Sequence, residues 1–349
     1  MRYRQLGRTG FAVSEIGHGL WGMSGWSGSE DRESREALQL SADLGCTFFD
    51  TAWAYGEGKS DGLAGELLAR ESHGTNAPRR PWWKPKAATA AEPSASAAGE
   101  RRLYVASKVP PKNRKWPSSP KDAYKDVFPA RHVLKHARRI RAKLGVDSID
   151  LLQFHVWDDH WTDEAEFRET VEKLKADGLI RRFGLSLNRW EPENGIAALR
   201  TGLVDTVQVV YNIFDQAPED KLFPACQELN IGVIARVPFD EGSLGGKLTA
   251  ETKFPESDWR SRYFNAENLA KTLERVGRLK GILPEGVSLP ELTLRFILSH
   301  PAVSTTIPGM RKPGHVRQNL AASDAGPLDP ALLRELRNHR WDRTLHRGG

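Results

Sequence analysis

Segments of strand character alternate with segments of helical periodicity along this chain, and the alternation repeats eight times. Alternation of this kind predicts parallel strands joined by crossover helices. Eight such units predict a closed (β/α)8 barrel, the TIM-barrel fold, rather than an open sheet. The predicted strands span residues 14–20, 47–50, 103–107, 149–154, 182–186, 206–210, 232–235 and 303–307. The predicted helices span residues 31–44, 60–70, 130–144, 162–177, 192–200, 218–229, 267–280, 289–299 and 313–322.

The rest of the chain is consistent with one barrel domain over residues 1–349. Residues 2–14 alternate polar and apolar side chains around a turn at residues 7–10, which predicts a short N-terminal β-hairpin. Hydrophobic residues make up 39% and charged residues 28%, as in globular proteins with a large core. The sequence predicts neither a transmembrane helix nor a secretory signal. Cys46 and Cys226 lie in apolar contexts, so we expect reduced thiols and a cytoplasmic protein.

The formal net charge is +6, and basic residues cluster at 112–115 and 131–143. A solvated helix face and a nucleic-acid surface are the two interpretations of such clusters. No nucleic-acid-binding motif accompanies the charge, so we predict neither a nucleic-acid nor a membrane partner. A basic surface also attracts a phosphorylated cofactor.

Residues 72–101 interrupt the alternation, because Ala, Pro, Ser and Gly dominate this stretch. Such a composition cannot build a packed core, and we predict a mobile insert between helix 2 and strand 3. Trp82 and Trp83 stand between basic residues, which leaves a partner-binding segment and a simple spacer as open interpretations. A loop that leads from a helix to the next strand lies on the amino-terminal face of a barrel, away from catalysis.

Two short motifs resemble dehydrogenase signatures but lack the required context. Residues 17–22 match G-x-G-x-x-G, yet the Ser- and Gly-rich residues 23–28 do not continue as the helix that a dinucleotide fold needs. Residues 104–108 match the Y-x-x-x-K pair of short-chain dehydrogenases, which lies on a helix, whereas residues 103–107 are predicted as a strand. Neither motif therefore predicts function here.

Ionisable residues stand at the carboxyl ends of three successive predicted strands. Asp50 ends strand 2, Lys108 follows strand 3, and His155 follows strand 4. Tyr55 lies on the Gly-rich loop beyond Asp50. Each residue alone also fits a plain structural role, as a rim lysine, a core histidine or a turn tyrosine. Because the carboxyl ends of all barrel strands meet on one face, their shared position favours a common site.

This combination of side chains supports the reduction of a carbonyl by hydride transfer. Negative charge develops on the carbonyl oxygen and must be stabilised and protonated. A tyrosine of pKa about 10 is a poor acid–base group near neutral pH, but a nearby ammonium lowers that pKa, and a carboxylate holds the ammonium in place. The imidazole would orient the substrate oxygen, and Tyr55 would exchange the proton.

Motifs spread over nearly the whole chain are similar to those of the aldo-keto reductase family. They include FDTAWAYG at residues 49–56, ASK at 106–108, IDLLQFH at 149–155, GLS at 184–186, VQVVYN at 207–212 and IPG at 307–309. The resemblance implies a barrel that binds NADPH without a Rossmann domain. It also implies Asp50, Tyr55, Lys108 and His155 as the catalytic residues.

The resemblance also implies the residues that would bind the cofactor. Ser186, Asn188 and Gln208 would hold the nicotinamide carboxamide, although Leu187 stands where the family often has Asn. Tyr211 would stack on the nicotinamide, with a packed aromatic at the strand end as the alternative. Residues 236–247 would cover the pyrophosphate, and residues 309–319 would bind the adenosine and its 2′-phosphate. The full predicted set is Trp21, Asp50, Ser186, Asn188, Gln208, Tyr211, Arg236, Val237, Pro238, Phe239, Gly242, Ser243, Lys247, Gly309, Arg311, His315, Gln318 and Asn319, with no metal ligands.

We therefore expect NADPH-dependent reduction of an aldehyde or ketone to an alcohol, with Tyr55 as the proton donor. The two alternatives are an NAD-linked sugar or polyol dehydrogenase and a non-catalytic, cofactor-binding regulatory subunit. A small carbonyl or alcohol is the predicted partner. Trp21, Trp26, Trp53 and Trp157 are predicted to form aromatic pocket walls, and residues 340–347 are predicted to fold over the mouth.

Overall fold

A closed barrel of parallel strands forms the centre of the protein. The computed structural model describes residues 1–25, 28, 30–74 and 102–343. Within this part of the chain, eight parallel strands form one sheet in sequence order. Parallel bridges from Ile16 to Thr306 and from Gly19 to Gly309 join the first of these strands to the last. The strands are β3 (His18–Gly19), β4 (Phe48–Asp50), β5 (Tyr104–Val109), β6 (Ile149–Phe154), β7 (Ile180–Ser186), β8 (Thr206–Val210), β9 (Gly232–Arg236) and β10 (Val303–Thr306).

The predicted N-terminal hairpin is confirmed, and it closes the amino-terminal end of the barrel. Strands β1 (Tyr3–Gln5) and β2 (Ala12–Ser14) pair antiparallel. Leu6, Phe11 and Val13, from the hairpin and its turn, pack into a core inside the barrel. There they contact apolar residues from five strands or strand ends. The members of this inner core are Leu6, Phe11, Val13, Phe48, Ala106, Leu151, Ile234 and Ile307.

A second, larger core lies between the sheet and the surrounding helices. Helix α4 (Ala130–Leu144) illustrates how the sequence builds it, because its buried residues Val133, Ala137, Ile140 and Leu144 recur at helical spacing. Gly145 then ends that helix with φ of 66°, a left-handed conformation that glycine adopts without steric cost. The helices are α1 (Asp31–Asp43), α2 (Lys59–Gly74), α3 (Tyr124–Val127), α4 (Ala130–Leu144), α5 (Ala165–Ala176), α6 (Ile196–Arg200), α7 (Leu222–Glu228), α8 (Arg260–Tyr263), α9 (Ala266–Gly281), α10 (Leu289–Leu298), α11 (Pro313–Asp324) and α12 (Pro330–Arg337).

The (β/α)8 prediction is confirmed, while several element boundaries differ. The first barrel strand is shorter than predicted, because Ser14 pairs in the hairpin and Ile16 bridges directly to Thr306. Helix α6 begins at Ile196 rather than at residue 192. The carboxylate of Asp159 accepts hydrogen bonds from the amides of Gly195, Ala197 and Ala198, which satisfies the first amides of this short helix.

The predicted insert at residues 72–101 starts too early. Helix α2 continues to Gly74, so its last residues belong to the barrel rather than to an insert. Residues 75–101, including Trp82 and Trp83, lie outside the described residues. None of the helices in the described ranges is long and apolar enough to cross a membrane.

Candidate active site

The alternating direction of side chains along each strand places polar residues inside the carboxyl end of the barrel. Phe48, Ala106, Leu151 and Ile234 point into the inner core. Side chains two positions apart lie on one face of a strand. The residue two positions after each of these therefore also points inward, one layer nearer the opening at the carboxyl end of the barrel, here called the mouth. These residues are Asp50, Lys108, Gln153 and Arg236.

Lys108 and Asp50 form an ion pair at the centre of this layer. The Lys108 Nζ lies 2.6 Å from the Asp50 Oδ2, and the lysine side chain is completely buried. Lys108 also donates to the carbonyl oxygen of Thr51 at 2.8 Å. The other Asp50 oxygen accepts from the Nε2 atoms of Gln208 at 2.7 Å and Gln153 at 3.5 Å. The pair is thus held by hydrogen bonds, as a buried pair of charges requires.

Tyr55 lies on the loop after β4 with its ring against Lys108. The Lys108 Nζ is 5.2 Å from the centroid of the Tyr55 ring. Burial raises the pKa of Tyr55, and Lys108 and Arg236 oppose this effect only in part. Lys108 thus acts in the expected direction, but the pKa of Tyr55 is raised overall, because desolvation of the phenolate is the larger effect. Tyr55 carries its proton at neutral pH and is able to donate it.

His155 packs beside Tyr55 at the end of β6. The two rings meet edge to face with centroids 5.7 Å apart. Burial, with smaller contributions from Lys108 and Arg236, lowers the pKa of His155 well below its ordinary value, so the imidazole is neutral. Its Nδ1 is buried and has no hydrogen-bond partner among the described residues.

Two further side chains complete this mouth. The Trp116 ring approaches His155 edge to face with centroids 5.8 Å apart, and it is 47% exposed. Sequence reasoning missed Trp116, which lies in the irregular loop after β5. Arg236 ends β9 and donates from Nη2 to the carbonyl oxygen of Leu187 at 2.9 Å. Its Nε is buried and, within the described chain, has no hydrogen-bond partner.

Two of the four residues predicted at the nicotinamide lie side by side on neighbouring strands. Ser186 and Gln208 are paired in register on β7 and β8 and are both buried. Asn188 is buried in a different network, in which its amide donates to Ser118 and Glu191. Tyr211 points away from the mouth, because it lies three residues after the inward Gln208. Its ring packs against Phe223 and Phe296, and its hydroxyl donates to Glu219, so the predicted stacking role is wrong.

The loop after β9 contains the residues predicted to cover the pyrophosphate. Val237, Pro238, Phe239, Gly242 and Ser243 follow β9 directly, and an exposed Lys247 ends the segment. A Cβ added to Gly242, which has φ of 109°, would meet no described atom within 4 Å, so this backbone is open to a ligand. Asp240 and Glu241 are not directed into an open site, since both bind buried arginines.

The last predicted group surrounds the amino-terminal end of α11. Burial lowers the pKa of His315, and the positive charges of Lys247, Arg311 and Lys312 add to this effect, while Glu33 opposes it. Gly309 is exposed, and an added Cβ would have no described neighbour within 4 Å. Gln318 is exposed, and Asn319 is buried on the helix. Positive side chains at a helix N-terminus form a suitable environment for a phosphate.

Of the four tryptophans predicted to form pocket walls, one lies in the core and one lies outside the described residues. Trp157 is completely buried and packs against Trp161 and Phe167, so it belongs to the core rather than to the pocket. Trp53 packs against His136 and Arg139 on α4. Trp21 is 38% exposed in the turn after β3, whereas Trp26 lies outside the described residues.

The C-terminal segment packs over the loops that follow β8 and β9. The Trp341 amide donates to Phe214, and the Arg343 guanidinium binds Asp215 and Asp240. Residues 340–343 thus lie on loops at the carboxyl end of the barrel, while residues 344–347, predicted with them to fold over the mouth, lie outside the described part. A cavity of about 240 Å³ lies beneath this segment, beside Asn188 and Trp190.

Comparison with known proteins identifies the chain. A model of the aldo/keto reductase family matches residues 15–340. The chain belongs to this family. As an aldo/keto reductase, it is an NAD(P)-dependent oxidoreductase. In the described residues, no group of three or more His, Cys, Asp or Glu side chains is arranged to hold a metal ion.

This aldo/keto reductase is similar to an NADH-specific methylglyoxal reductase from Escherichia coli, with 26% identity over 349 residues, 96% of this chain and 98% of the relative. Its fold is similar to that of a glycerol dehydrogenase from Gluconobacter oxydans, with a TM-score of 0.73, 24% identity, and 99% and 98% of the two chains covered. A Klebsiella pneumoniae aldo/keto reductase in complex with NADP and acetate matches with a TM-score of 0.66, 22% identity and 98% of each chain.

The residues of the mouth fit the nicotinamide cofactor that this family uses. The Gln208 side chain lies beside Asp50, and Ser186 is the register partner of Gln208 on the neighbouring strand. The buried Nε of Arg236, unpaired in the described structure, needs an acceptor. The cations around α11 provide the positive charge that phosphates require.

Proposed function

We propose that this protein reduces an aldehyde or ketone to an alcohol with NADPH, and that Tyr55 donates the proton. The observation that carries this proposal is the buried Lys108–Asp50 pair beside a protonated Tyr55 and a neutral His155. A positioned acid of this kind is what carbonyl reduction needs, because the oxygen gains charge as the carbon gains hydride.

Each side chain has a separate task. A bound nicotinamide supplies the hydride to the carbonyl carbon. Tyr55 transfers its hydroxyl proton to the carbonyl oxygen, and the Lys108 ammonium stabilises the phenolate that remains. Asp50 holds Lys108 in place, and the neutral His155 ring offers one N–H to orient the carbonyl oxygen.

The cofactor preference is part of the proposal. Lys247, Arg311 and Lys312 contribute positive charge around the neutral His315 at the start of α11, and this charge favours a cofactor with a 2′-phosphate. The NADH-specific name of the Escherichia coli relative favours the other cofactor. Fluorescence titration with NADPH and NADH decides between them: tighter binding of NADH would overturn the assignment of NADP.

Turnover of an aromatic aldehyde, followed by NADPH absorbance, tests the reaction. Tyr55→Phe removes only the proton donor, and the rate should fall by about 100-fold or more. Tyr3→Phe, a change on the exposed hairpin, is the matched control and should leave the rate unchanged. An unchanged rate in Tyr55→Phe would contradict its role.

The same assay separates the alternatives. Oxidation of a polyol with NAD, without reduction of any aldehyde by NADPH, would favour the dehydrogenase. Tight NADPH binding without turnover in either direction would favour a regulatory subunit.

A further inference from the structure

The backbone of the loop after β9 is strained at three residues other than glycine. Val237, Asp240 and Glu241 have φ angles of 55°, 43° and 57°. Side chains with a Cβ rarely adopt this region, and a β-branched valine is especially unfavourable there. Such residues persist only where their surroundings enforce the conformation. The contacts of this loop therefore determine its conformation.

Asp240 is the main point at which the loop is held. Its side chain is completely buried and accepts hydrogen bonds from several segments of the chain. Arg343 donates from Nη2 at 2.8 Å and from Nη1 at 3.2 Å. Arg189 donates at 3.0 Å, and the hydroxyls of Tyr263 and Ser243 also donate. Within the described residues, the ion pair of Glu241 is with Arg189, at 2.7 Å.

These contacts connect the loop to the C-terminal segment. Arg343 also binds Asp215 in the loop after β8 at 2.9 Å, and its side chain is 3% exposed. Trp341 fixes the same segment, because its backbone N–H donates a hydrogen bond to the carbonyl oxygen of Phe214 and its ring meets the Phe214 ring edge to face. The conformation of the loop after β9 is thus coupled to a segment that begins about a hundred residues later in the sequence.

The charges in this cluster make each arginine necessary. Arg189 and Arg343 face three carboxylates, those of Asp215, Asp240 and Glu241. Removing one partner from a buried network leaves an uncompensated charge, which is strongly unfavourable. Within this loop, a freed carboxylate would also repel the phosphates of a nicotinamide cofactor.

We propose that Arg343 and Arg189 are positioning residues that keep residues 237–246 in the conformation that admits the cofactor. This inference rests on the proposed function, in which the loop after β9 covers the cofactor pyrophosphate. Neither arginine is proposed to touch a reacting atom. Their loss is therefore expected to weaken cofactor binding more than it slows the chemical step.

The test is NADPH binding by the full chain carrying Arg343→Gln. We expect the Kd from fluorescence titration to rise about tenfold or more, while kcat at saturating NADPH changes by less than about threefold. Amide hydrogen exchange in residues 237–246 should become faster. Arg340→Gln is the matched control on the same segment, because Arg340 pairs with the exposed Asp220 and Asp342, and its Kd should match that of the wild type.

A double variant keeps the inference testable if Arg343→Gln does not fold. Asp240→Asn with Arg343→Gln removes both charges of one pair, which buried pairs tolerate better than the loss of one partner. A raised Kd in this variant supports the inference, and a wild-type Kd in a folded variant overturns it. Failure of the wild type itself to bind NADPH would refute the proposed function instead.

Discussion

The Lys108 ammonium and the Asp50 carboxylate lie 2.6 Å apart inside the barrel, and both side chains are almost completely buried. No other carboxylate in the described chain forms an ion pair with Lys108. The pair therefore has two functions, which are to compensate a charge in the core and to place that charge beside Tyr55. These functions are separable by experiment, because the first affects stability and the second affects rate.

Asp50→Asn should destabilise the protein strongly. The substitution leaves the buried Lys108 ammonium with the carbonyl oxygen of Thr51 but without its counter-ion. Breaking a buried pair in this way costs about 3–5 kcal/mol in the free energy of unfolding. Urea unfolding followed by far-UV circular dichroism measures this loss.

The control for that substitution is an exposed ion pair. Lys221 and Glu193 lie 2.9 Å apart with side chains 66% and 51% exposed, so Glu193→Gln should cost less than about 1 kcal/mol. Equal losses of unfolding free energy in Asp50→Asn and Glu193→Gln would mean that the Lys108 ammonium becomes hydrated when its partner is removed.

Gly7→Ala should prevent the hairpin from closing the barrel. Gly7 has φ of +51°, and an added Cβ would lie 2.1 Å from the backbone nitrogen of Gly232. This clash with main chain adds to the backbone strain, and we expect a loss of about 2–5 kcal/mol in unfolding free energy.

Gly10→Ala is the matched control for Gly7→Ala. Gly10 has φ of +77°, but its added Cβ meets no described atom within 4 Å, so only backbone strain of about 1–2 kcal/mol remains. Similar melting temperatures for Gly7→Ala and Gly10→Ala would contradict the close approach of the hairpin to β9.

The barrel and its inward-facing residues were predictable from local pattern, whereas contacts across loops were not. Residues 149–154 were predicted with the observed boundaries, because a short apolar run and its flanking turns define a buried strand. The stacking role predicted for Tyr211 was wrong, although strand alternation in the sequence indicates the face of β8 on which this residue lies. It lies an odd number of positions after the inward Gln208, and alternation directs it to the opposite face.

Other parts of the site depend on tertiary structure that no local signal encodes. Trp116 reaches His155 from an irregular loop, and Arg343 reaches Asp240 from a segment 103 residues away. The net direction of the Tyr55 pKa depends on burial, which a motif does not report. Residue identity predicted the chemistry of the site, but only the packed structure gives the balance of its charges.

Asp61 should make stability depend on pH. Its side chain is buried, and it accepts from Ser107 at 2.7 Å. Burial raises the pKa of Asp61 to about 6, from 3.8 in an unfolded chain. The folded protein thus keeps the proton between these values while the unfolded chain releases it. The stabilising effect of this group is complete below pH 4 and is lost as the pH rises through 6.

The measurement is the difference in unfolding free energy between the wild type and Asp61→Asn. Because asparagine does not titrate, this difference isolates the carboxyl group. Relative to Asp61→Asn, the wild type should lose about 2–3 kcal/mol in unfolding free energy between pH 4 and pH 7. A difference that stays constant over this range would show that Asp61 has an ordinary pKa in the folded protein.

His155 should not contribute an ionisation to the rate near neutral pH. Burial lowers its pKa well below 6.5, so the ring stays neutral through the working range. The logarithm of kcat/KM for aldehyde reduction should therefore show no step near pH 6.5. A step that persists in Asp61→Asn, which lacks the buried carboxyl group that titrates near pH 6, would show that His155 gains a proton there.

Tyr211→Leu should reduce stability without weakening cofactor binding. The ring fills space between Phe223 and Phe296 on the outer side of β8, and its loss leaves a cavity that costs about 2–4 kcal/mol. Gln208→Ala is the matched variant on the same strand, with its side chain on the inner side next to Asp50. We expect the NADPH Kd to change less than about twofold in Tyr211→Leu and to rise at least about fivefold in Gln208→Ala. A raised Kd in Tyr211→Leu with an unchanged Kd in Gln208→Ala would support the predicted stacking of Tyr211 on the nicotinamide. It would mean that the opposite face of β8 lines the mouth.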